Sequence, residues 1–124
     1  MVILIAEDHE DVRLAISNIL KADGFTVLTT YDGRAALELS RCYPGTIDLV
    51  VSDMDMPRMD GLELCQTIAT ERPGIKVLII SGGLQELEHV YMKGLPFLQK
   101  PFTGTALRQS ITALLSPNPP LRTP

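Results

Sequence analysis

The sequence predicts an α/β domain in which five parallel strands alternate with five helices and the helices cover both faces of a doubly wound sheet. Three observations carry this. The stretches 2–6, 47–52 and 75–80 are almost wholly apolar, of strand length, and bounded by turn formers, as strands buried on both faces are. Between the apolar runs lie segments with helical spacing of apolar residues. The intervening connections are long enough for right-handed parallel crossovers. At 124 residues the chain supplies one core, and no internal repeat is detectable.

Residues 2–6 form the first strand, and a polar break from Glu7 to Asp11 follows. Val12, Ile16, Ile19 and Leu20 share one face of a helix that Asp8 or Asp11 is placed to cap and Gly24 to close. Residues 25–30 alternate and are rich in β-branched types, which predicts a strand near a sheet edge. Asp32 and Gly33 turn the chain into a helix over 34–41 that Pro44 and Gly45 end. The strand over 47–52 delivers Asp53. Asp60 and Gly61 open a helix carrying Leu62, Leu64, Cys65 and Ile68, and Pro73 and Gly74 stop it. The strand over 75–80 ends at Ser81, Gly82 and Gly83. A short helix over 84–92 has Leu84, Leu87, Val90 and Tyr91 available for burial. Residues 95–98 make a last brief strand, and Pro96, which cannot donate a ladder hydrogen bond, makes it an edge. Thr103 caps a final helix with Leu107, Ile111, Leu114 and Leu115 in a stripe. The expected division is a domain over 1–116 and a Pro-rich tail or linker stub over 117–124, since Pro117, Pro119 and Pro120 cannot continue a helix.

The polar residues that carry chemistry stand at the carboxyl ends of these strands, where open α/β sheets bind ligands. Glu7 and Asp8 follow the first, Asp53 the third, Ser81 the fourth and Lys100 the fifth. In the flavodoxin-like strand order 2-1-3-4-5, the first and third strands flank the crevice at the topological switch point. Several carboxylates in one crevice repel, by about 4 kcal/mol for two unit charges about 4 Å apart at an effective dielectric of about 20. A hard divalent cation relieves that repulsion, and Mg²⁺ suits oxygen ligands together with water. A carboxylate can serve as nucleophile and form an aspartyl phosphate, while a metal, a lysine and a hydroxyl neutralise the phosphoryl oxygens.

Over about residues 2–115 the chain resembles a response-regulator receiver domain of two-component signalling, of the kind found in hybrid histidine kinases. The resemblance rests on Glu7 and Asp8 after the first strand, on Asp53 with Pro57 and Gly61 at the family's spacing, and on the pairs Ser81-Gly82 and Lys100-Pro101. It implies that Asp53 accepts a phosphoryl group from the phosphohistidine of a histidine kinase or histidine phosphotransfer protein. It implies further that Glu7, Asp8, Asp53 and the backbone carbonyl of Asp55 hold Mg²⁺, for which Mn²⁺ can substitute. Lys100 would pair with the phosphoryl oxygens, and its bond to Pro101 would be cis. Ser81 would be the hydroxyl that moves toward the phosphate, and Phe97 would take the aromatic switch position. Phe97 has no hydroxyl to bond, so packing alone would drive its movement. Asp55 and Gly83 stand two residues after the acceptor and the hydroxyl, where relatives tune the attack of water. The segment from Ser81 to Lys100 is a few residues short, which predicts a stunted or displaced fourth helix.

The net charge of −4 argues against nucleic acid or an anionic membrane surface as direct partner, and no recognisable DNA-binding segment follows Leu115. No apolar stretch approaches the roughly 20 residues of a membrane helix, and the N-terminus lacks the basic start of a signal peptide. Cys42 and Cys65 lack metal-ligand spacing and read as two buried, reduced thiols of a cytoplasmic protein. His9 reads as solvent-facing, and Met54, Met56 and Met59 as loop packing. The expected function is a phosphoacceptor switch that alters a protein-binding face and catalyses only its own phosphorylation and dephosphorylation. Two alternatives stand beside it. Asp53-x-Asp55 also resembles the DxD of haloacid-dehalogenase phosphatases, although there the acids come in a different order. A receiver fold that binds partners without phosphorylation is the other.

Overall fold

Along the chain run β1 (Val2–Ala6), α1 (Glu10–Ala22), β2 (Thr26–Thr30), α2 (Gly33–Cys42), β3 (Leu49–Asp53), α3 (Gly61–Glu71), β4 (Lys76–Ser81), α4 (Leu84–Met92), β5 (Phe97–Gln99) and α5 (Gly104–Leu115). The computed structural model describes residues 1–116, apart from the side chains of Leu84 and Leu87. The tail expected over 117–124 lies outside the described residues. The sheet has the order β2-β1-β3-β4-β5, and every neighbouring pair is parallel. The strand order and the helical cover of both faces agree with the sequence-based expectation.

Side-chain alternation sorts the core into two layers. Ile3, Ile5, Leu49, Val51, Leu78 and Ile80 face α1 and α5, where they meet Ile16, Leu20, Leu107 and Ile111. Leu4, Ala6, Val50, Val77 and Ile79 face the other way and meet residues of α2, α3 and α4, among them Ala36, Leu64, Ile68 and Val90. A fully buried Val, Leu or Ile contributes about 1.5–3 kcal/mol relative to exposure, so β1, β3 and β4 anchor the domain. β2 is half-buried and sits at one edge, as its alternation predicts.

Several local expectations are corrected. Neither Asp8 nor Asp11 caps α1; the N-cap is His9, which makes no side-chain capping bond, and Asp11 already lies in the first turn beside Glu10. The Asp8 carboxylate instead joins a cluster with Glu7 and Asp53, and the two first-turn acids supply the favourable interaction with the helix dipole. β5 begins at Phe97 rather than Leu95, because Pro96 has no N–H to give; its carbonyl accepts from the Ile79 N–H at 3.1 Å. Tyr91 is not buried: it is 70% exposed and packs edge-to-face on Phe97, with ring centroids 6.5 Å apart. Val90 takes the core position of α4, a helix of nine residues. Of the two thiols expected to be buried, Cys65 is, whereas Cys42, the last residue of α2, is exposed.

Helix termini follow the sequence closely. Gly24 has φ of +91°, and the N–H groups of Gly24 and Phe25 close α1 on the carbonyls of Lys21 and Leu20. Asp32, Asp60 and Thr103 each accept a backbone N–H at the start of α2, α3 and α5. At the amino end of the sheet, the Arg72 guanidinium donates to Ser40 Oγ and to the carbonyls of Ser40, Tyr43 and Gly45, binding the end of α3 to the end of α2.

Gly61 positions the strand that ends at Asp53. The first turn of α3 passes so close to the end of β3 that a Cβ on Gly61 would collide with the Asp53 carbonyl oxygen and lie 2.9 Å from its carbon and 3.0 Å from Met54 Cα. Backbone cannot yield as a side-chain tip can. Gly61→Ala is expected to lower stability by about 3 kcal/mol, at the upper end of overpacking costs. Gly82→Ala, where the nearest atom is Lys100 Cβ at 3.7 Å, is expected to stay near wild type. Equilibrium urea unfolding of the two variants checks the contrast.

Candidate functional site

Parallel register brings the expected residues to one edge. Ala6 is paired with Ser52 and Asp53 with Ile80, so Glu7 stands beside Asp53 and Ser81 one residue beyond it. Ser81 is paired with Gln99, and the Lys100 N–H donates to the Ser81 carbonyl at 2.9 Å. The Lys100-Pro101 bond is cis. Lys100 Nζ lies 2.9 Å from Glu7 Oε1 and 3.3 Å from Asp53 Oδ1. Glu7 and Asp53 are only 1% and 4% exposed, whereas Asp8 is open to solvent. Carboxylate oxygens of Glu7, Asp8 and Asp53 lie within 4.8 Å of one another, together with a ring nitrogen of His9.

Burial and the neighbouring Glu7 push the Asp53 carboxyl up to about 7, against the pull of Lys100. Burial opposes the charge on Lys100, but its pairing with Glu7 and Asp53 prevails and holds the amine above its ordinary range. Burial likewise raises Asp8, and hydrogen bonding with Glu7 and the backbone, with His9 nearby, outweighs it and leaves the group lowered. The site thus holds more negative charge than Lys100 alone neutralises.

A hard divalent cation fits this arrangement. The donors are carboxylate oxygens, and the buried Glu7 Oε1 has no aligned hydrogen-bond partner despite its ion pair with Lys100. An Asp53 that resists ionisation beside Glu7 is what an extra positive charge would correct.

Three expected residues, Ser81, Phe97 and Asp55, lie outside the acid cluster. The Ser81 hydroxyl, 1% exposed, donates to Glu86 Oε2 at 2.9 Å. Phe97 is 38% exposed and packs on Tyr91. Asp55 is exposed in the loop after β3; partial desolvation and then the Glu86 carboxylate beside it raise its carboxyl. His9 is solvent-facing as expected, yet its Nδ1 lies 3.3 Å from Asp8 Oδ1 and 3.7 Å from Glu7 Oε2, so it borders the site. The sequence alone does not point to Glu86. The spacing of Gly83 and Glu86 at the start of a helix, that of a capping glutamate, was the available signal.

Comparison with known proteins bears on the family of the chain. The family model described as the response regulator receiver domain matches residues 3–112. The chain is 34% identical over 119 residues to the sensor kinase CckA of Brucella abortus (strain 2308), a match covering 91% of the chain and 12% of that protein. It is 32% identical over 115 residues to the uncharacterized transcriptional regulatory protein YrkP of Bacillus subtilis (strain 168), covering 91% of the chain and 48% of YrkP. The crystal structure of the receiver domain from the hybrid histidine kinase CckA superposes with a TM-score of 0.80 at 34% identity, covering 94% of this chain and 100% of that one. The chain therefore spans about an eighth of one curated relative and about half of the other. Strand order, the acid edge and the match over nearly the whole described chain agree, and the chain belongs to the response regulator receiver domain family of two-component signal transduction.

Proposed function

We propose that the domain takes a phosphoryl group from the phosphohistidine of a histidine kinase or histidine phosphotransfer protein onto Asp53, and that this alters a protein-binding face. The observation that carries the reading is Lys100 Nζ held between Glu7 and Asp53 at the ends of three different strands. An Asp53 carboxylate oxygen attacks phosphorus, the phosphorus–nitrogen bond breaks, and the imidazole leaves with a proton. Lys100 stands within reach of oxygens on that phosphorus and neutralises their charge. Glu7, Asp8, Asp53 and the Asp55 carbonyl would hold Mg²⁺, or Mn²⁺ in its place, which supplies further charge neutralisation.

Ser81 would turn its hydroxyl to the new phosphate, and Phe97 would follow by packing alone. The exposed rings of Tyr91 and Phe97 mark the face that would change. The relation to CckA favours a kinase partner, whether the domain stands alone or within a longer hybrid protein. The free thiols of Cys42 and Cys65 suit a cytoplasmic setting, and among the described residues no helix is long and apolar enough to cross a membrane. The family membership favours a signalling switch over a phosphatase with separate substrates.

Incubation with acetyl phosphate and Mg²⁺ is expected to add one phosphoryl group to the wild type, read by intact-protein mass spectrometry, and none to Asp53→Ala. Addition that survives in Asp53→Ala overturns the assignment.

The raised pKa of Asp53 yields a second outcome. Its folded value of about 7 exceeds the ordinary 3.8, so between these values the folded protein holds a proton that the unfolded chain has released. The contribution is fully present below about pH 4, falls as pH rises, and is spent above about pH 7. A cation bound to ionised Asp53 offsets that loss. Mg²⁺ is expected to raise the melting temperature more at about pH 8 than at about pH 5, with Asp53→Asn showing little of this difference. Calorimetric melts at both pH values check it; equal shifts in the wild type would speak against a cation held by Asp53.

A further inference from the structure

Ser81 closes β4 with its side chain buried, and its hydroxyl carries a single proton. That proton goes to Glu86 Oε2 at 2.9 Å, while the Gly83 N–H donates to the same hydroxyl at 3.1 Å. Gly83 is the N-cap of α4, and Glu86 is the third residue of the helix. A glutamate at that position commonly reaches back to the N-cap N–H. Here it reaches that N–H only through Ser81, so the hydroxyl is part of the cap of α4.

Glu86 also fills the room that a side chain at position 83 would use. A Cβ on Gly83 would collide with Glu86 Oε2 and lie 2.7 Å from Glu86 Cδ. From there the carboxylate adjoins Asp55, on the loop that leaves Asp53. A group five residues beyond Ser81 in sequence thus borders the acid edge.

We propose that Glu86 is a positioning residue that holds the Ser81 hydroxyl in the resting protein and yields it when a phosphoryl group forms on Asp53, so that the same event undoes the cap of α4. The inference rests on Asp53 being the phosphoacceptor. One proton cannot serve both acceptors. The phosphoryl oxygens compete for it, and their negative charge repels the Glu86 carboxylate. The two states therefore differ in which acceptor Ser81 serves, which is the differential contact a two-state switch requires.

Beryllium trifluoride, which forms a tetrahedral mimic of a phosphoryl group on a carboxylate, tests this with Mg²⁺ present, its affinity read by fluorine NMR. Wild type is expected to bind it and Asp53→Ala not to. Glu86→Ala is expected to bind about tenfold more tightly than wild type, the low end for loss of a charge-assisted hydrogen bond. Glu86→Gln, which keeps an acceptor oxygen without the charge, is expected to fall between. In a Ser81→Ala background, Glu86→Ala is expected to change affinity less than about twofold, because the group it restrained is gone. Hydrogen exchange at the first-turn amides of α4 is expected to quicken when wild type binds the mimic and to be quick already in Glu86→Ala. An unchanged affinity in Glu86→Ala, or equal tightening with and without Ser81, overturns the role of Glu86 while leaving Asp53 as acceptor. Absence of binding by wild type, or binding that survives in Asp53→Ala, overturns the acceptor assignment and this inference with it.

Discussion

Two buried carboxylates share one ammonium group, and the upper edge of the domain is arranged around that imbalance. Glu7 and Asp53 are each almost wholly removed from water, and Lys100 reaches both. Charges taken out of water are costly unless paired and hydrogen-bonded. Placing two acids against one base keeps Asp53 reluctant to ionise and leaves Glu7 with an oxygen lacking an aligned partner. A purely structural ion pair gains nothing from such a surplus. A site that must gather cationic charge does, because the cost incurred in folding is recovered only when charge arrives.

The remainder of the fold keeps those groups in register. The apolar strands β1, β3 and β4 lock the sheet through side chains buried on both faces, so their carboxyl ends cannot slip without moving a whole layer of the core. The close approach of α3 at Gly61 sets the path of the backbone leaving Asp53. Lys100 is carried on a short strand whose neighbour, β4, ends in Ser81, so base and hydroxyl share one ladder.

Much of this was legible in the chain. Continuous apolar runs located the three central strands, and the polar residue after each located the site, since a parallel sheet turns sequence position into spatial position. Less legible were features decided by competition between neighbours. Asp8 or Asp11 reads as a cap for α1, but the acid edge takes Asp8 and leaves His9 at the helix start. Tyr91 reads as a core residue by its spacing, but nine residues give α4 little inward face, and Val90 fills it. The sequence does not point to Glu86 at all, and only the folded start of α4 brings it back to Ser81. For Asp8 and Tyr91 the residue type permitted two roles, and tertiary geometry chose.

The clasp that Arg72 makes across Ser40, Tyr43 and Gly45 gives the domain a polarity of another kind. One guanidinium ties the ends of two helices and the approach to β3, far from the acids. At the opposite corner, β5 contributes three residues to the sheet and meets β4 over three register pairs. A disturbance entering at the acids meets a riveted base in one direction and a lightly stitched hem in the other. The margin at β5 is thereby the part of the sheet tied to its neighbour by the fewest register pairs.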